Sequence, residues 1–150
     1  MDRSPRILVV DDDETIRTTM KAILQDEGYI VDLASTAKEA IHKSQENNYN
    51  VALLDIRLPD MEGVELLKLL KDGVPRTRKI MVTGYPSMQN AISALNKNAD
   101  AYLLKPVDVE KLLNTVKQQL NAQENEHKFS EQKVAEFIES RVKELSPNNL

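Results

Sequence analysis

Short apolar runs alternate with longer amphipathic stretches from Ile7 to about Leu120, and this rhythm restricts the chain to very few architectures. Ile7–Val10, Ile30–Ala34, Val51–Leu54, Ile80–Val82 and Ala101–Leu104 read as strands. Most are apolar at successive positions rather than at every second one, so both faces of the sheet must be covered. Between them, Ile16, Met20, Ile23 and Leu24 fall at helical spacing, Thr36-Ala37-Lys38-Glu39 has the form of a capping box, and Leu66, Leu67, Leu69 and Leu70 fill a third helix. A fourth helix starts near Ser87 with Ala91, Ile92 and Leu95. A fifth starts near Asp108 with Val109, Leu112, Leu113, Val116 and Leu120. Right-handed crossovers turn such an alternation into an α/β fold, a doubly wound five-stranded parallel sheet with five helices on its two faces.

A length of 150 residues fits one such domain, residues 1–121, with a short extra piece, residues 122–150. That piece is polar, but Val134, Phe137, Ile138, Val142 and Leu145 lie on one side of a helix that Pro147 would end. The stripe is expected either to dock back on the domain or to meet a partner, a second copy included. With 6 acidic against 4 basic residues and no room for a helix-turn-helix, this extension is not expected to bind DNA. Cysteine is absent, which excludes disulfides, thiolate zinc sites and cysteine nucleophiles. His42 and His127 sit in polar helical stretches and read as surface residues, and Arg76-Thr77-Arg78-Lys79 as a solvated basic turn. No run is long enough to span a membrane and no signal peptide opens the chain, so a cytoplasmic location is expected.

Chemistry concentrates where strands end. The first runs into Asp11-Asp12-Asp13-Glu14, and a helix start explains only Asp13 or Glu14, through capping and the helix dipole. Asp11 and Asp12 repel one another unless a cation sits between them, and hard oxygen ligands in small number suit Mg²⁺. The third strand ends in Asp55, too far from the next helix to cap it, with Pro59 and Asp60 between. It reads as a buried or pocket-lining carboxylate. The fourth ends at Thr83 and the fifth at Lys105-Pro106. In a doubly wound sheet ligands gather at the carboxyl ends of the strands, so three carboxylates, a hydroxyl and an ammonium converge on one rim.

In these pieces the chain resembles the receiver domain of two-component response regulators: Ile7-Leu8-Val9-Val10-Asp11-Asp12, Leu54-Asp55 with Pro59, Met61 and Gly63, Val82-Thr83-Gly84, and Tyr102 to Lys105-Pro106. The resemblance covers roughly residues 5 to 121. It implies the flavodoxin-like strand order 2-1-3-4-5 and a cis Lys105–Pro106 bond. It also implies Asp55 as phosphoacceptor, and a Mg²⁺ site made of Asp11, Asp12, Asp55 and the backbone carbonyl of Arg57. Thr83 and Lys105 would contact the phosphoryl group, and Thr83 and Tyr102 would act as a switch. The implied partners are a sensor histidine kinase as donor and a downstream protein. A homodimer could form through the fourth helix, fifth strand and fifth helix, or through residues 129–145. Either the chain is a stand-alone receiver that acts by docking on a partner protein, which is the expected form, or it is the front of a longer regulator whose output follows a helical linker. In both cases it is expected to catalyse only its own phosphorylation and dephosphorylation. Arg57 and Tyr85, each two residues beyond a site residue, flank the path of the hydrolytic water in the family and imply slow loss of the phosphoryl group.

Two enzyme readings compete. Asp11-Asp12-Asp13-Glu14-Thr15 also fits the D-x-D-x-T signature of haloacid-dehalogenase-like phosphatases, with Asp11 as nucleophile. That family's second acidic pair is missing after Lys105, where only Asp108 follows closely, and Asp55 would have no purpose. A dinucleotide-binding enzyme fails because none of the four glycines forms G-x-G-x-x-G.

Overall fold

The computed structural model describes residues 4–84 and 99–145. Five strands, β1 (Arg6–Val10), β2 (Ile30–Ala34), β3 (Val51–Asp55), β4 (Arg78–Thr83) and β5 (Ala101–Leu104), form one parallel sheet in the order β2-β1-β3-β4-β5. Four helices are described: α1 (Glu14–Asp26), α2 (Ala37–Glu46), α3 (Gly63–Leu69) and α4 (Val109–Glu144). The helix expected from Ser87 lies outside the described residues.

Alternate residues of the strands feed two separate cores. Leu8, Val10, Ala52, Leu54 and Met81 pack with Ala37, Ala40, Leu66 and Leu67 of α2 and α3. Ile7, Val9, Leu53, Ile80 and Val82 pack with Met20, Leu24, Leu112 and Val116 of α1 and α4. Each large side chain buried this way contributes about 1.5–3 kcal/mol, and the doubled core explains why the strands lack polar alternation. In α3 the burial falls on Leu66 and Leu67, with Leu70 just past the helix end; Leu69, expected in that core, points outward and is half exposed. The reason is angular: positions 66, 67 and 70 share a face and 69 does not.

Helix ends follow local chemistry. The Asp13 carboxylate accepts from the N–H groups of Thr15 and Ile16, Thr36 Oγ1 accepts from Glu39 N, and Asp108 accepts from Lys111 N. In the capping box of α2, Glu39 reaches back to the N–H of Ser35, not of Thr36. The chain leaves α1 through Gly28 at φ +93°, a left-handed position that glycine takes without a Cβ penalty.

The basic stretch at residues 76–79 is not a solvated turn. Arg78 and Lys79 open β4, and the Asp100 carboxylate accepts two bonds from Arg76 (3.0 and 3.1 Å) and one from Lys79 N (2.8 Å). Arg78 also bonds Gln119 and Glu126 of α4, and the buried Gln123 donates to the carbonyls of Asn50 and Arg76. Burial pushes the Asp100 carboxyl up, but Arg76 and the Lys79 N–H outweigh it and hold the group below the usual range. A depressed folded pKa contributes stability above the unfolded value, lost as pH falls through the folded one. Asp100→Ala should therefore cost about 2 kcal/mol at neutral pH and less in acid. Urea melts at the two pH values check this; an equal cost at both removes the electrostatic account.

The same pairs explain the length of α4. Nothing between Val109 and Glu144 breaks a helix, and Gln119, Gln123 and Glu126 are clamped to the lower edge of the sheet, so the helix runs on past residue 121. At 1.5 Å per residue it extends about 54 Å. The stripe Val134, Phe137, Ile138, Val142 and Leu145 does not dock back on the domain: the helix runs on past the sheet and every residue from Lys128 to Leu145 is exposed. Among the described residues no helix is long and apolar enough to cross a membrane.

Candidate functional site

The register places Val10 beside both Ala34 and Leu54, Asp55 beside Val82, and Thr83 beside Leu104. Every residue singled out at a strand end thus arrives at the same edge. Oxygens of Asp11, Asp12 and Asp55 lie within 4.8 Å of one another. Asp11 and Asp55 are buried and Asp12 is exposed. Lys105 Nζ lies 2.8 Å from Asp11 Oδ2 and 3.5 Å from Asp55 Oδ2. Thr83 is fully buried at the end of β4, and its carbonyl accepts from Lys105 N at 2.7 Å. The Lys105–Pro106 bond is cis.

The two buried carboxylates are held differently. Asp11 accepts a 2.9 Å bond from Asp13 N on one oxygen and the Lys105 bond on the other. Asp55 meets Arg57 N and Lys105 at 3.5 Å each, the outer limit for a hydrogen bond. Burial and the neighbouring Asp11 charge push the Asp55 carboxyl up, with Lys105 opposing. For Lys105, burial pulls down, but its bond to Asp11 and the charges of Asp55 and Asp11 hold the ammonium above its ordinary value. One ammonium thus faces a crowd of carboxylates. Their spacing and hard oxygens fit a small divalent cation that keeps some of its waters.

Arg57 lies in a closed loop, Ile56–Glu62. It pairs with Glu62 across an isolated bridge, Leu58 N bonds Met61 O, and Gly63 N bonds Ile56 O. Tyr102 stands on β5 and is 43% exposed. Tyr85 lies outside the described residues. His42 and His127 pair with Glu46 and Glu131 one turn along their own helices, away from the cluster.

Two residues at this site are not singled out by a reading of the sequence alone. Arg17 donates to the backbone carbonyl of Asp11 at 2.8 Å, and Asp60, at the tip of the loop, accepts from the N–H groups of Ala37 and Lys38 at 2.9 and 3.0 Å. An aspartate directly after Pro59 in a turn is a hint, but its partners lie more than twenty residues away.

A family model described as the response regulator receiver domain matches residues 7–117. The chain is 40% identical over 114 residues to the transcriptional regulatory protein ZraR of Klebsiella oxytoca, a match covering 76% of this chain and 26% of that one. It is 32% identical over 118 residues to the regulatory protein AtoC of Escherichia coli, covering 79% and 26%. It thus spans about a quarter of the length of these curated relatives. Among solved structures, a CheY-like receiver domain protein from Methanospirillum hungatei is 49% identical with a TM-score of 0.75, covering 83% of this chain and 99% of that one. The response regulator TrrA of Thermotoga maritima, solved in complex with Mg²⁺ and BeF, is 34% identical with a TM-score of 0.68, covering 77% and 98%.

Proposed function

The chain belongs to the response regulator receiver family, and from that footing we propose that Asp55 accepts a phosphoryl group from a phosphohistidine on a sensor kinase and that the aspartyl phosphate switches a protein-binding surface. The observation that carries this reading is the loosely held, buried Asp55 beside Lys105 and two further carboxylates. An Asp55 oxygen bonds to phosphorus as the donor N–P bond breaks, and the bonding pair stays on the imidazole nitrogen. Two anions must meet for this, so positioning and charge compensation supply most of the rate. Lys105 provides one positive charge. Asp11, Asp12, Asp55 and the Arg57 carbonyl would hold Mg²⁺, which supplies further positive charge against the phosphoryl oxygens. The donor would approach over an apolar cleft of about 470 Å³ that Lys105 borders, lined by Ile16, Met20, Ile23, Pro106 and Val107.

In the switch, the Thr83 hydroxyl bonds a phosphoryl oxygen and Tyr102 moves from its half-exposed position, biasing one of two states. The chain processes no separate substrate; it modifies only itself. Beyond the receiver, the described residues 122–145 are one helix with an exposed apolar stripe, which would serve as a protein contact surface or as the link to an output part.

Incubation with a small phosphodonor and Mg²⁺ should add the mass of one phosphoryl group, and chelating the metal beforehand should prevent it. Amide spectra around Tyr102 should shift with beryllofluoride and Mg²⁺. No mass gain, together with turnover of a generic phosphatase substrate that Asp11→Asn abolishes, would replace this reading with the phosphatase one.

A further inference from the structure

We propose that Asp60 is a positioning residue for the metal site: by binding the first turn of α2 it fixes the loop that carries the Arg57 carbonyl and orients Asp55. The inference rests on the reading of Asp11, Asp12, Asp55 and Arg57 as metal ligands.

The first turn of a helix leaves its N–H groups without intrahelical partners. In α2 the local cap Thr36 serves only Glu39 N. The N–H groups of Ala37 and Lys38 are served from elsewhere, by Oδ1 and Oδ2 of Asp60 at 2.9 and 3.0 Å. These two bonds hold the Asp60 carboxyl below the usual range although it is exposed. A carboxylate spread over two adjacent amides fixes both the distance and the direction of the segment that bears it.

That segment is short and closed. Asp60 sits at its tip, the Arg57–Glu62 bridge and the Gly63 N to Ile56 O bond close its base, and Asp55 precedes it directly. The other end of the clamp also reaches the site. Ala34, three residues before Ala37, accepts from Asp11 N through its carbonyl at 3.1 Å. The stretch 34–38 is therefore bonded to the strand end carrying Asp11 on one side and to the loop carrying Arg57 on the other. It spans the two halves of the ligand set without contributing a ligand. Residues that orient ligands in this indirect way commonly control metal affinity by about 10–100-fold.

The test is calorimetric titration of MgCl₂ into the metal-free full chain, for wild type and three variants. Asp60→Ala should weaken Mg²⁺ binding by about tenfold. Asp60→Asn, which keeps one carbonyl acceptor, should fall between it and wild type. Thr36→Ala removes the other cap of the same helix and should lower the melting temperature while leaving Mg²⁺ affinity unchanged. In the metal-free protein, hydrogen exchange at Ala37 and Lys38 should speed up in Asp60→Ala. Wild-type affinity in a folded Asp60→Ala protein overturns the proposal, as does an equal loss in Thr36→Ala. If Asp60→Ala does not fold, Asp60→Asn decides, and wild-type affinity there overturns it. Absence of Mg²⁺ binding in wild type is a different failure, of the ligand reading itself, and takes this inference with it.

Discussion

Asp55→Asn is expected to take up no phosphoryl group and yet to melt at a higher temperature than wild type in metal-free buffer at neutral pH. The first effect is the loss of the nucleophile, since an amide oxygen does not form the acyl phosphate. The second follows from what the site costs. Asp55 is 6% exposed and faces Asp11, so burial and a like charge raise its folded pKa above the ordinary carboxylate value. A raised pKa means that the stability associated with the protonated form is complete below the unfolded pKa and is lost as pH rises through the folded one. Wild type carries that penalty at neutral pH and the Asn variant does not. Lys105 loses one carboxylate neighbour but keeps its 2.8 Å bond to Asp11. The midpoint should rise by a few degrees at neutral pH, and the advantage should vanish in acid. Scanning calorimetry at both pH values with intact mass after a phosphodonor checks both halves. A lower midpoint for Asp55→Asn would show that Lys105 and the loop hold the carboxylate more favourably than its burial opposes it.

The sheet was legible because strands covered on both faces are written as continuous apolar runs. β2 and β5 begin and end where the runs do, and β3 gains only Asp55. β4 starts two residues before its apolar run, at Arg78 and Lys79, because Asp100 and Glu126 of α4 pair with Arg78 and Asp72 pairs with the Lys79 ammonium, neutralising charges that look solvated when read in isolation. The cluster Asp11, Asp12, Asp55 and Lys105 was legible for a topological reason: parallel strands end on one edge, so residues at strand ends meet whatever their separation in sequence. The supporting residues were not. Asp60 and Arg17 act on backbone groups of other segments, and a backbone N–H or carbonyl has no sequence signature. The reach of α4 was half legible. The apolar stripe beyond residue 129 is evident, but its continuity with the sheet-packed part of the helix depends on Gln119, at the end of the domain's own helix, and on Gln123 and Glu126, polar residues that read as part of the extension and act as clamps.

Gly63→Ala should be the most disruptive single-methyl change near the site. A Cβ on Gly63 would lie 2.1 Å from the backbone oxygen of Asp55 and 3.0 Å from Met81 Cε. The methionine tip can swing aside, but the Asp55 carbonyl is held by the backbone, because β3 is paired with β1 as far as Leu54 and with β4 through Asp55 itself. Relief must come from moving the start of α3 away from the strand, which strains the 2.8 Å bond from Gly63 N to Ile56 O that closes the loop. Overpacking against an immobile backbone should cost about 3 kcal/mol. Displacing a reacting carboxylate by about 1 Å should slow phosphoryl uptake roughly 100-fold. Gly73→Ala is the matched control: its Cβ would meet the Asn48 side-chain oxygen at 2.7 Å, an atom at the free end of a side chain that can turn away. It should unfold within about 0.5 kcal/mol of wild type and take up the phosphoryl group at the wild-type rate. Urea melts and the time course of mass gain for the two variants separate the cases. Similar behaviour in both would mean that the contact between α3 and the end of β3 yields more readily than a paired strand should. The rigidity assigned to the Asp55 backbone, on which the geometry of the acceptor depends, would then be wrong.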